Sequence, residues 1–306
     1  MILCCGEALI DMLPRQLPGG EPVFLPVAGG AVFNTAIALG RLGEKAGFFC
    51  GISTDLMGEI LISGLEQSGV DHSLCPRSSL PTTLAFVKLT DGHAEYAFYD
   101  EMTAGRMITD ADLPDPPEVA AAHFGAISLI PEPCGSTFEE LAVSLKDRAV
   151  ISLDPNIRSG FVDREAIYRA RLDRMLGIAD IVKVSDEDLA WLRPGLAFEE
   201  VAAGWIAKGA SLVILTRGEK GAIAVTRSGK LEMAAVPASV VDTVGAGDTF
   251  NAGLLAGLKR AGVLSRPALR QLQEAQLRPA LELAAKAAAI TVSRVGANPP
   301  WASEIA

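Results

Sequence analysis

The chain is short of positive charge: 27 lysines and arginines stand against 37 aspartates and glutamates, a formal net charge of −10. That balance argues against bulk binding to nucleic acid or to an anionic membrane. A phosphate ligand stays open, because a nest of backbone N–H groups can outweigh distant carboxylates. Histidine is scarce. His72, His93 and His123 are scattered without metal-ligand spacing, so packing or surface roles are expected. The five cysteines, Cys4, Cys5, Cys50, Cys75 and Cys134, show no C-x-x-C spacing and include an adjacent pair. Reduced thiols in a cytosolic protein are the expected state. Long apolar runs are missing too: residues 119–131, one of the longer uncharged stretches, are too few to span a bilayer. The opening residues lack the basic region and long apolar stretch of a signal peptide, and a soluble, cytoplasmic protein is expected. Internal repeats and low-complexity tracts are absent.

What is present in quantity is an α/β rhythm. A chain of 306 residues suffices for one large α/β domain with an ample core or for two smaller ones. Short apolar, often β-branched runs at residues 2–5, 45–52, 123–130, 150–153, 181–184 and 212–216 read as strands. Helical patterns fall among them, at residues 57–68, 136–146, 163–176 and 199–208. Such alternation predicts a mostly parallel central sheet with helices on both faces. Ligands then collect beyond the carboxyl ends of the strands. Two stretches break the rhythm. Residues 82–89 and 94–99 flank Asp91-Gly92, a strong hairpin signal. Earlier, Pro14, Pro18, Gly19, Gly20 and Pro22 make an irregular excursion before a brief strand at 23–27. These segments predict a separate small sheet. Near the end, Arg278-Pro279 is expected to separate two helical segments.

The most informative stretch is Val241-Asp242-Thr243-Val244-Gly245-Ala246-Gly247-Asp248-Thr249-Phe250. It follows a β-branched segment and enters a helical pattern over residues 249–261. Gly245 and Gly247 let the backbone approach a ligand where unpaired N–H groups point outward. Exposed donors and the helix dipole there favour an anion. Asp248 lies in the first turn, where its carboxylate is expected to stay ionised and to accept a proton from a hydroxyl. Stabilising negative charge while deprotonating an alcohol is the chemistry of phosphoryl transfer to a sugar. Other candidate groups leave strand ends. Asp154-Pro155-Asn156-Ile157-Arg158 combines a carboxylate, an amide and a guanidinium able to bond sugar hydroxyls or a phosphate.

This run resembles the C-terminal signature of the PfkB (ribokinase-like) carbohydrate kinases. Ala28-Gly29-Gly30-Ala31-Val32-Phe33-Asn34 resembles that family's N-terminal pattern of a glycine pair and a helical asparagine. The likeness spans essentially the whole chain and is strongest to bacterial fructokinases. It implies one ribokinase-like domain, residues 1–306, with segments 12–28 and 82–101 forming a β-sheet lid able to pair with a second subunit as a homodimer. ATP-dependent phosphorylation of a ketohexose, fructokinase foremost, is the implied activity, with Mg²⁺ required and K⁺ a further candidate. Asp248 is implied as base beside the Gly245, Ala246 and Gly247 amides. Asp11, Gly29, Gly30, Asn34, Phe98 and Arg158 would hold the sugar. Lys183, Ser185, Thr216, Gly218 and Gly221 would meet the nucleotide, the last three in Thr216-Arg217-Gly218-Glu219-Lys220-Gly221. In Lys183-Val184-Ser185-Asp186-Glu187-Asp188, a serine stands where many members have asparagine, so Glu187 or Asp188 would serve the divalent ion through water. Asp242 and Thr243 would border a monovalent cation. A 2-keto-3-deoxygluconate kinase is the nearest alternative, but such enzymes tend to carry arginine where Asp100 and Glu101 follow Phe98-Tyr99. A non-catalytic sugar-binding regulator of the same fold is expected to lose the base or the glycines, and both are retained.

Overall fold

The structure is a computed structural model that describes residues 1–90, 93–116 and 118–305, with backbone alone at 87–90 and 93–96. The turn expected at Asp91-Gly92 lies outside the described residues. The chain begins with β1 (Ile2–Cys5), whose side chains alternate between two cores: Ile2 and Cys4 enter one, Leu3 and Cys5 the other. A strand buried on both faces reads as an unbroken apolar run, which is why this one was legible. The hairpin β2 (Leu9–Gln16) and β3 (Pro22–Gly29) leads into α1 (Ala31–Arg41), β4 (Ala46–Phe49), β5 (Ile52–Ser53) and α2 (Leu56–Gln67). After β6 (Arg77–Ser78) come β7 (Leu84–Thr90) and β8 (His93–Tyr99).

Regular alternation follows: β9 (Ala121–Gly125), α3 (Cys134–Leu145), β10 (Val150–Asp154), α4 (Glu165–Ile178) and β11 (Ile181–Ser185). Next are α5 (Asp186–Leu192), α6 (Phe198–Lys208), β12 (Leu212–Thr216) and the hairpin β13 (Ala222–Thr226) and β14 (Gly229–Met233). The chain closes with α7 (Ala246–Arg260), the short α8 (Arg266–Leu269) and α9 (Glu274–Val292). The main sheet has the order β14-β13-β12-β11-β10-β9-β1-β4, parallel from β12 to β4, with β13 and β14 antiparallel at one edge. α7 and α9 pack closely because Gly253 and Gly257 face Ala284 and Ala280, where any Cβ would fall within 2.6 Å of an alanine Cα.

A second sheet, β3-β2-β7-β8, stands apart from the first. Here the structure departs from the expected irregular excursion, since β2 runs through Pro14. Proline fits because β7 pairs with β2 only over Ile10–Met12, leaving one side of Pro14 without a ladder, and Pro22 and Pro26 sit on the edge strand β3. Two other expectations are corrected. The strand expected over 123–130 ends at Gly125, because Ala126 turns left-handed (φ 56°) into a 3₁₀ turn, Ala126–Leu129. Nor does Pro279 divide two helices; it lies inside α9, near its start.

Candidate active site

Everything converges on the start of α7. Gly245, its N-cap, has φ 76°, a left-handed conformation that costs other residues about 1 kcal/mol or more. A Cβ on Gly245 would also lie 2.6 Å from the Ala297 Cβ. The turn is fixed from behind by Asp242, whose carboxylate accepts from the Val244 amide (3.0 Å) and the Gly296 amide (2.9 Å). Ala246 donates its amide to the Thr243 carbonyl at 3.3 Å. Among the described residues the Gly245 and Gly247 amides have no acceptor, leaving two donors for an anion.

Asp248 is the third residue of α7 and is 6 % exposed. Its Oδ2 accepts from Asn34 Nδ2 at 2.9 Å, and Thr35 Oγ1 donates to its carbonyl oxygen at 3.2 Å, so α1 grips the first turn of α7. Burial pushes the Asp248 carboxyl up to about 6, helped by Asp154 and opposed by Asn34, Lys183 and Arg158. The helix end was expected to hold it low; desolvation wins. Ionised at neutral pH yet readily protonated, it has the properties of a general base.

Beneath it lies a buried cation. Lys183 Nζ donates to Asp154 Oδ2 at 2.9 Å, and Asn251 Nδ2 donates to the same oxygen at 2.7 Å. Burial depresses the Lys183 ammonium, but Asp154 and Asp188 reverse this and raise it. A Cβ on Gly247 would come 3.0 Å from Nζ, so glycine lets the ammonium reach the helix end. Asp154 is therefore a buried counter-ion and not a group facing the mouth of the site. Farther along the main sheet, His123 bonds Ser152 Oγ through Nδ1 at 3.1 Å; burial and Lys183 hold it down at about 3, a packing role.

Of the residues expected to hold a sugar, Asp11 is pushed up to about 6 by burial, and a Cβ on Gly29 would strike its Oδ2 at 2.4 Å. Phe98 meets Phe161 edge-on with ring centroids 3.9 Å apart, bringing the small sheet against the segment that follows Arg158. Arg158 is exposed, and its charge helps to hold Asp248 down. Asp100 is not free to face a ligand. Its Oδ1 accepts from Thr83 Oγ1 (2.8 Å) and Thr103 Oγ1 (3.2 Å), and Arg106 lies 3.9 Å from Oδ2.

On the far side, Asp188 is buried and its carboxylate is taken up by the Ser185 amide (2.8 Å), the Ser185 hydroxyl (2.7 Å) and the Ile157 amide (2.6 Å). It joins the loop bearing Arg158 to α5. Glu187 is exposed and is the freer carboxylate of the two. Thr216 Oγ1 reaches the Val184 carbonyl at 3.4 Å. Gly218 (φ 54°) and Gly221 (φ 79°) make the turn that follows, and a Cβ on Gly221 would meet the Met233 carbonyl oxygen at 2.1 Å. Beyond that contact opens a cavity of about 380 Å³, lined by Val236, Pro237, Ala238, Ala289, Ile290 and Ser293 among others. Its apolar walls suit a planar ring. Sequence reading missed it, because its lining comes from three separated segments, residues 236–238, 286–293 and 304–305, that no local pattern joins.

The site thus defines a class: an α/β protein with a buried carboxylate, an amide nest and a lysine at one helix start. Residues 1–304 match the pfkB family carbohydrate kinase, and the chain belongs to that family. It is 55 % identical over 279 residues to a fructokinase of Rhizobium leguminosarum bv. trifolii, covering 91 % of this chain and 86 % of that one. Among solved structures, a fructokinase of Xylella fastidiosa with bound ATP superposes with a TM-score of 0.91 at 30 % identity, covering 99 % of this chain and 96 % of that one. A Vibrio cholerae fructokinase in a fructose, ADP and calcium ion bound form gives 0.84 at 26 %, covering 97 % and 94 %.

Proposed function

We propose that this chain is an ATP-dependent fructokinase, transferring the γ-phosphoryl group of ATP to a hydroxyl of D-fructose. The observation that carries the reading is the Asp248 carboxylate, buried, held by Asn34 and set beside the Gly245 and Gly247 amides. Asp248 takes the proton of the acceptor hydroxyl, whose oxygen forms the new bond to phosphorus. The bond between that phosphorus and the bridging oxygen breaks, and ADP leaves. The glycine amides and Lys183 stabilise the charge that develops on the transferred group. Asp11, Gly29, Gly30, Asn34, Phe98 and Arg158 surround the sugar. The Thr216–Gly221 turn and the cavity beside Val236 and Ile290 take the nucleotide, with Ser185 near its phosphates. Support comes from the relatives above and their ligands.

A divalent ion, Mg²⁺ in this reading, fits at the phosphate end, where Glu187 is the carboxylate left to meet it through water; it would neutralise phosphate charge. K⁺ fits only through the backbone carbonyls of the Asp242–Thr243 loop, because the Asp242 side chain is taken up inside the fold. A double mutant of the Vibrio cholerae enzyme carries fructose, ADP and a potassium ion. The chain acts as one kinase domain, residues 1–306, with the small sheet as lid. We place it in the cytoplasm, acting on small molecules and not on nucleic acid or membranes; among the described residues no helix is long and apolar enough to cross a membrane. The test is ADP release with fructose against 2-keto-3-deoxygluconate. Fructose is expected to give the higher kcat/KM, and a preference for the acid would reject fructokinase.

A further inference from the structure

α1 starts without a capping side chain of its own, since its N-cap is Gly30. The partner comes from 24 residues earlier. Glu7, two residues after β1, is 8 % exposed, and its Oε1 accepts from the Ala31 amide at 2.7 Å and the Val32 amide at 3.3 Å. Its Oε2 accepts from the Ser128 amide at 3.3 Å, in the 3₁₀ turn after β9. A Cβ on Gly30 would strike the Glu7 carbonyl oxygen at 2.8 Å, so the glycine lies directly on this residue. One carboxylate therefore ties together β1, the turn after β9 and the first turn of α1. That turn presents Asn34 to Asp248.

We propose that Glu7 is a positioning residue for the sugar site: it fixes the Gly29–Gly30 bend and the register of Asn34 without touching substrate. A buried carboxylate on orphan helix amides is a strong restraint, because each charge-assisted bond removed leaves a buried donor unpaired. The restraint reaches the sugar side of Asp248 through α1, whose Asn34 and Thr35 bond it. The nucleotide side is held by Asp242, Gly245 and Lys183, on other elements. Glu7 also explains why the α1 amides are not themselves an anion site: a carboxylate already occupies them. Burial pushes Glu7 up to about 7, opposed by the amides it accepts from and increased by Asp248, so the restraint rests on geometry and not on full ionisation.

The proposal rests on the sugar-kinase reading, and its test separates the two. Glu7→Gln keeps an acceptor for Ala31 and Val32 but sets an N–H against the Ser128 amide; Glu7→Ala removes every bond. Fructose KM is expected to rise about tenfold in Glu7→Gln and further in Glu7→Ala, the factor one charged hydrogen bond is worth. The Kd for ADP is expected to stay within about twofold, and kcat at saturating fructose to fall by less than KM rises. Amide hydrogen exchange at Ala31–Asn34 is expected to accelerate in Glu7→Gln, with α7 unchanged. Since Glu7→Ala could fail to fold, Glu7→Gln decides. Unchanged fructose KM and unchanged exchange at Ala31–Asn34 overturn the proposal, as does an equal loss in kcat and in both affinities. Absence of fructose turnover in the wild-type protein would instead overturn the fructokinase reading, and the exchange measurement would still decide the role of Glu7 at α1.

Discussion

At the scale of single residues, burial makes Asp248 and Asp11 resist ionisation. Asp248 is raised from 3.8 to about 6 and Asp11 likewise, so kcat/KM for fructose is expected to fall on the acid side with an apparent pKa near 6. A rate that is flat down to pH 4.5 would contradict this. The same shift bears on stability. Below pH 3.8 the Asp248 carboxyl is protonated whether the chain is folded or not. Between 3.8 and 6 the unfolded chain releases its proton first, and above 6 the folded state carries a penalty on the order of 3 kcal/mol. Asp248→Asn is therefore expected to melt several degrees higher than wild type at pH 8 and to lose that advantage near pH 4. Equal melting temperatures at pH 8 would show that the carboxylate is not strained. Asp248 was legible from its place between glycines and a helix; the burial that sets its pKa was not. Asp100 shows the converse. Its charge was readable, but Thr83, Thr103 and Arg106 turn it inward, so charge alone does not make it a selector against sugar acids.

At the scale of elements, the glycine turn before α7 is the part most sensitive to a single methyl group. Gly245→Ala forces a left-handed alanine against Ala297, and the expected result is weaker ADP binding by about tenfold and a loss of stability of roughly 1–3 kcal/mol. Calorimetry and thermal melting check both; wild-type affinity would mean that the turn does not shape the nucleotide site. Strands buried on both faces and helices with periodic apolar positions were plain in the sequence. Helix starts were less so. α7 begins three residues before its apolar pattern, and α1 is capped from 24 residues away, a pairing that no local pattern contains. The buried pair of Lys183 and Asp154 was also out of reach, because it depends on β10 and β11 ending side by side.

At the scale of the whole molecule, we propose that the small sheet moves as a lid. Its base is rooted in the main core through Ile10, Met12, Ala28 and Leu84, and Phe98 meets Phe161, while Phe24, Phe86 and Tyr99 form an edge-on aromatic row with Phe24 and Tyr99 about half exposed or more. That row and the unpaired edge of β3 suit a second copy of the chain. Hydrogen exchange in β2, β3, β7 and β8 is expected to slow when fructose and ADP bind; protection already maximal without ligand would contradict a mobile lid. We propose that two copies pair there: the wild type is expected to sediment as a dimer and Tyr99→Lys as a monomer, and equal coefficients would reject pairing through this face.

The central claim is that Asp248 removes the proton from a fructose hydroxyl, and one comparison tests it directly. Turnover of Asp248→Asn at saturating fructose and ATP is measured beside the Kd of each ligand. The account predicts a fall in kcat of about 10²–10⁴, the range for a positioned general base, with both Kd values within a few-fold of wild type. Lost fructose affinity with near-normal turnover at saturation would show that Asp248 binds the sugar and that the base lies elsewhere.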